Sequence, residues 1–307
     1  MNINLSALEL RTISLLDAPL SISELTEKTG VTKGYISRTV ASLKDKGFVE
    51  TSKIGITKKV ALSSNLHAAR FRYLLHNRSY MPLDELLQGS GMQILGVLAS
   101  GSADFTRLRE ESGVSKATLW RRIRKFKDHA MLLSRNNEYE LPQDLKDIRE
   151  FLEHFCSYFA VSTMKEISPA GNFIAAKGFE FLFSLKEELI HENARSTGLT
   201  SISDEIPLML AENYYFYTSR TLSREEIAVH AIVADPHSKR NLTYVIIYVL
   251  KVKLDMALFL KIAKRYRVED IAGNVLKLLN TWEKPEEPYM PDPAYVREKL
   301  KEYKIQW

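Results

Sequence analysis

Only one cysteine, Cys156, occurs in the 307 residues. That excludes an internal disulfide framework and a four-thiolate zinc site, and it fits a reducing cytosol. Long apolar runs are also missing. The best candidate, residues 242–250, is stopped by Lys251 and Lys253, short of the roughly 18–20 apolar residues that a membrane span needs. The opening M-N-I-N-L-S-A-L-E-L-R has no basic start leading into an apolar stretch, so no secretory signal is visible and a cytoplasmic protein is expected. Catalytic signatures are lacking too: there is no G-x-S-x-G, P-loop or G-x-G-x-x-G. The seven histidines are scattered, and His230 and His237 lack the i, i+4 spacing of a helical metal pair. No enzyme, metal or cofactor is expected.

The chain is 45% hydrophobic and 26% charged, as in a soluble protein with a sizeable core. Its length suits two or three domains. The net charge of +5 is unevenly spread: residues 1–150 carry 23 Lys and Arg against 17 Asp and Glu, and the remainder carries 20 against 21. A basic N-terminal half suggests a polyanionic partner.

That half contains a duplication. Offset by 83 residues, positions 22–49 lie over 105–132 without a gap, and eight of the 28 pairs are identical, among them Leu25/Leu108, Gly30/Gly113, Lys33/Lys116 and Arg38/Arg121. Chance would give about two. In the first copy an apolar helix over residues 5–16 precedes Ser21-Ile-Ser-Glu24, a capping box that starts a second helix. Thr29-Gly30 ends that helix, and Thr32 caps a third whose Ile36, Val40 and Leu43 share one face. Gly47 closes it, and a β-prone run turning at Lys53-Ile-Gly55 follows. In the second copy the matching features are Asp104, Ser112-Gly113, Ser115, the face Leu119–Ile123–Phe126 and a hairpin turning at Asn136-Asn137.

Helix, glycine turn, helix and hairpin make a winged helix-turn-helix. The segment T-G-V-T-K-G-Y-I-S-R-T-V-A-S-L-K-D-K-G-F-V-E resembles the recognition segment of MarR-type and related archaeal winged-helix regulators. S-G-V-S-K-A-T-L-W-R-R-I-R-K-F is similar to a second, divergent copy. The expected fold is therefore α+β: winged helices over residues 1–65 and 92–142, a linker helix over 66–91, an α+β C-terminal domain over 143–282, and a Pro-rich tail with a short helix over 283–307. The function expected is sequence-specific binding of double-stranded DNA by a transcription regulator with two recognition helices per chain.

Candidate DNA contacts are the side chains left once the buried face of each third helix is removed. In the first copy these are Lys33, Tyr35, Ser37 and Arg38, with Thr39 and Lys44 beside them; Arg38 suits a bidentate contact to guanine. In the second they are Lys116, Thr118, Arg121, Arg122, Arg124 and Lys125, within a run holding six cations in 12 positions. Trp120 falls just off the buried face and is expected to pack on the wing. The wings add Lys53, Lys58, Lys59 and Arg135 as phosphate or minor-groove contacts.

Beyond Pro142 the aromatic residues 145–164 read as a helix and a homodimer seam. Strands are expected at F-I-A-A and Y-Y-F-Y-T-S-R, and helices over 224–234, 241–267 (broken near Lys253), 269–282 and 294–303. K-G-F-E-F-L-F-S-L-K-E-E with the following Y-Y-F-Y-T-S-R-T-L-S-R-E-E-I-A-V-H resembles the C-terminal domains of abortive-infection-type antitoxins, which are related in shape to nucleotidyltransferases. The resemblance implies a domain that senses a small-molecule or protein effector, dimerises or neutralises a partner. Gly101-Ser-Ala-Asp104 has the start of a nucleotidyltransferase signature without its D-x-D.

Overall fold

The computed structural model describes residues 3–55, 57–283 and 286–305. The chain forms two compact units, residues 1–163 and 164–307.

In the first unit, α1 (Ala7–Ser14) begins at a capping box of Ser6 and Glu9. Strand β1 (Leu20–Ser21) leads into α2 (Ile22–Thr29), whose own box is Ser21 with Glu24; Gly30, at φ +72°, ends it in the left-handed region. Helix α3 (Lys33–Asp45) follows, and Gly47, again at φ +72°, turns the chain into β2 (Val49–Ile54) and β3 (Thr57–Leu62). β1 adds to the hairpin to give an antiparallel sheet of order β1-β3-β2. Two residues with no strand pattern of their own thus tie the helix-turn-helix to its wing.

After α4 (Leu66–Asn77) and α5 (Leu83–Leu87), the order repeats as α6 (Ser90–Ala99), β4 (Ala103–Asp104), α7 (Phe105–Ser112), α8 (Lys116–Asp128), β5 (Leu133–Arg135) and β6 (Glu138–Glu140). The second sheet, β4-β6-β5, has the strand order of the first. Asp104 caps α7 through the Arg107 amide at 2.9 Å, so the carboxylate of the G-S-A-D segment is a helix cap. Asn136 and Asn137, at φ +49° and +66°, make the two-residue turn of the hairpin.

Helix α9 (Lys146–Ile167) packs mostly in the first unit. Phe151 lies 4.9 Å from Phe71, Phe155 5.3 Å from Phe48, and Tyr158 4.6 Å from His67 between ring centroids. Tyr158 covers Gly47 so closely that a Cβ there would collide with the phenol ring. These contacts set the division of the chain well past Pro142. Within the expected seam, Phe151 and Phe155 are buried inside the chain, while Lys146 is exposed and Glu153, His154, Ser157 and Tyr158 are half-buried.

The second unit holds an antiparallel sheet ordered β7 (Asn172–Lys177), β8 (Glu180–Leu185), β10 (Asn213–Tyr217), β9 (Ala194–Ser196). Its helices are α10 (Gly198–Glu205), α11 (Arg224–Ala234), α12 (Lys239–Val252), α13 (Met256–Arg265), α14 (Glu269–Thr281) and α15 (Pro293–Glu302). Lys253, at φ +54°, makes the expected break between α12 and α13. Leu182, Phe216, Val229, Ile246, Ile262 and Val275 pack in one core, and Tyr215 is buried against Phe183. β8, β9 and α10 are not among the expected elements. Among the described residues no helix is long and apolar enough to cross a membrane, and no metal-binding cluster is present.

Two buried histidines make stability pH-dependent. Burial lowers His67 to about 4, against the opposing hydrogen bond its Nε2–H donates to the Lys46 carbonyl at 3.0 Å. Burial likewise lowers His230, held between Thr197 and Tyr266 at 2.8 Å each, to about 3. A depressed histidine means that the unfolded chain takes up the proton first. Stability is therefore complete above about pH 6.5 and falls towards pH 4 as the unfolded state gains protons. Urea unfolding at pH 7.5, 5.5 and 4.5 should show this loss, and His67→Phe should lose less over the same interval. An identical pH dependence in the two proteins would contradict the assignment.

Candidate nucleic-acid interface

The third helices α3 and α8 occupy equivalent places in the repeat and carry different surfaces. On α3, Lys33, Tyr35, Ser37 and Arg38 are all exposed. The Arg38 guanidinium lies 5.3 Å from the Tyr35 ring centre, a cation–π contact that steadies both side chains without neutralising the charge. Thr39, expected beside them, is instead buried, with its hydroxyl donating to the Tyr35 carbonyl at 3.1 Å. Lys44 is exposed near the far end of the helix.

On α8 the six cations divide by task. Lys116, Arg121, Arg124 and Lys127 are exposed, and none of them forms an ion pair among the described residues. Arg122 is half-buried and donates to the Ser90 hydroxyl at 3.0 Å and to the carbonyls of Glu85 and Gln88 at 2.8 Å each. Burial, and then the charge of Arg121, lowers its pKa. Lys125 pairs with Glu85 at 2.5 Å, which holds that carboxyl below its usual range. Arg122 and Lys125, both expected as DNA contacts, thus also fasten α8 to α5 and the start of α6. Sequence counts cations but does not show which carbonyls lie within reach. Thr118 is half-buried, its amide bonded to the Ser115 cap. Trp120, 51% exposed, stacks on Phe105 at 4.7 Å rather than on the wing, because Phe105 opens the neighbouring helix α7.

The wings differ as well. Lys53 and Lys58 are exposed and lie directly opposite one another in the β2–β3 register, a like-charge pair that a bound anion would relieve. Lys59 is engaged: it bonds Glu24 at 2.8 Å, and with Ser21 it draws Glu24 down to about 2. Arg135 faces Glu138 across the second hairpin and lies 3.7 Å from Glu140, so the second wing offers little free positive charge.

One part of the surface has no counterpart in the sequence reading. Leu5 pairs with Gln88 as a parallel bridge, and the Gly89 amide donates to the Leu5 carbonyl at 2.8 Å. The strand-like link joins the start of the first copy to the start of the second. No strand pattern marks either residue, and Leu5, expected at the start of an apolar helix, lies before α1. Gly91 permits the same close approach, since a Cβ there would meet the Leu86 carbonyl.

Arg122→Ala should lower stability by about 2 kcal/mol, because it strips charge-assisted hydrogen bonds from three oxygens, whereas Arg124→Ala should stay within about 0.5 kcal/mol of the parent. Urea unfolding of both variants measures the difference. Equal stabilities would return Arg122 to the surface.

No curated protein matches the chain. Over residues 9–53, which run from α1 through α3 into β2, the chain is similar to the MarR family, whose family model matches there.

Proposed function

We propose that this chain is a sequence-specific transcription regulator of the cytoplasm that binds double-stranded DNA through α3 and α8. The observation that carries the reading is the duplicated helix-turn-helix of the first unit, whose two third helices each hold exposed, unpaired cations at equivalent positions, Lys33 and Arg38 matching Lys116 and Arg121. The MarR family match over the first copy supports it. Arg38 and Tyr35 lie in the first turns of α3, the part of a recognition helix that reaches base edges. Lys53 and Lys58 approach the backbone from the wing. The second unit serves as the module that receives an effector or partner.

Binding should depend steeply on salt. If about 6 phosphates are neutralised, log K against log salt should fall with a slope near −5. Fluorescence anisotropy with duplexes recovered by genomic footprinting tests this, and a flat slope would reject the reading.

The cations should also differ in kind. Arg38→Ala should cost about 1–3 kcal/mol on the selected site and relax preference at one or two base pairs. Arg124→Ala should weaken selected and random duplexes alike. Identical profiles for the two variants would contradict this division of labour.

A further inference from the structure

Two hollows meet at Gln88. The first, about 610 Å³, is bounded by Tyr35 and Arg38 of α3 on one side and by Arg122 of α8 on the other, with Gln88 and Gly89 between them. The second, about 350 Å³, continues from Gln88 and Arg122 to Thr118, Arg121 and Lys125. The two share Gln88 and Arg122, so side chains of both third helices border adjoining parts of one depression. The Gln88 segment between them is held by the Leu5 bridge and by the hydrogen bonds from Arg122.

The electrostatics of this depression are one-sided. Glu9 is the one carboxylate among its lining residues, and it is bound by Lys46 and Ser42 at 2.6 Å each. Lys125 is compensated by Glu85. That leaves Arg38, Arg121 and Arg122; the hydrogen bonds of Arg122 go to neutral oxygens, which orient its charge without cancelling it. Three guanidinium groups without a carboxylate partner along the two hollows raise the local potential for anions. The planar forks suit phosphate oxygens.

We propose that this depression is a binding site for the phosphodiester backbone of duplex DNA, seated over Gln88 between α3 and α8, so that the two third helices act as one head of fixed spacing. The proposal rests on the DNA-binding reading above and assigns a contact to a residue outside both third helices and both wings. Gln88 has no charge of its own and lines both hollows, so a charge placed there reports the ligand directly.

The test uses the full chain, a random-sequence duplex and a pair of opposite substitutions. Gln88→Glu should weaken binding about tenfold, and Gln88→Lys should strengthen it several-fold, with the salt slope changing by about one. The same substitutions at Asn77, exposed on α4, should leave affinity within twofold. Thermal melts check folding; if Gln88→Glu fails to fold, Gln88→Lys alone decides by its sign. Failure of the parent chain to bind any duplex removes the DNA reading and this site with it. Duplex binding by the parent with both Gln88 variants unchanged overturns this site alone. Titration with inorganic pyrophosphate distinguishes the source of the phosphate: pyrophosphate affinity that follows the charge at position 88 while duplex affinity does not would also overturn it.

Discussion

A buried ion pair governs how α3 is held. The Lys46 ammonium, just past the end of the helix, lies 2.6 Å from Glu9 and 2.6 Å from the Asn4 carbonyl, and both side chains are almost fully buried. Burial alone would raise the pKa of Glu9; hydrogen bonds from Lys46, Ser42 and the Ser6 amide outweigh it and hold the carboxyl below its usual range. A pair of this kind adds little net stability over apolar residues, yet breaking it costs about 3–5 kcal/mol because a charge is left alone in the core. It therefore specifies position more than it stabilises. Through Glu9, which also closes the Ser6 cap, the start of α1 and the end of α3 are fastened together.

The rest of the first unit is built onto that end. The Lys46 carbonyl accepts from His67, and the Gly47 carbonyl from Ser63 and from Asn65 at 2.8 Å. The turn that follows α3 is thereby fixed by the link between β3 and α4 and by α4 itself. Phe48, His67, Phe71, Phe151 and Phe155 then close an aromatic cluster over the turn. The exposed turns of α3 stand on a base tied to four other elements.

The two repeats have spent their charges differently. In α3 the buried cation, Lys46, lies past the helix and leaves its exposed face free. In α8, Arg122 and Lys125 hold the helix against α5, and Lys116, Arg121 and Arg124 remain outward. The second unit has a buried charged group of its own: Arg220 bridges Glu180 at 2.9 Å and Glu226 at 2.7 Å, which raises its pKa despite burial. Glu226 also completes the capping box of α11, so this cluster orients a helix start against the sheet.

Local chemistry determined the order of elements in the first unit. Capping residues, glycines at positive φ and a 3.6-residue apolar period act within a few residues of one another, so α2, α3, α7, α8 and the second hairpin turn were legible, as were α11 and the break at Lys253. Lys53 and Ile54, by contrast, read as part of the first turn but are paired in β2. The offset of 83 residues exposed the repeat because both copies need the same turn glycine and the same buried face. Other features depend on partners far along the chain. β1 and β4 are two residues each and exist only because β3 and β6 pair with them. Arg122, Lys125 and Lys59 look in sequence like the remaining cations, and only folding brings carbonyls or carboxylates within reach of them. The Leu5–Gln88 link joins residues 83 apart through backbone groups that every residue possesses, so no side chain could have announced it. Sequence determined which helices carry positive charge. Tertiary structure decided which of those charges are free, because a hydrogen bond depends on distance, and distance between remote residues is a property of the fold.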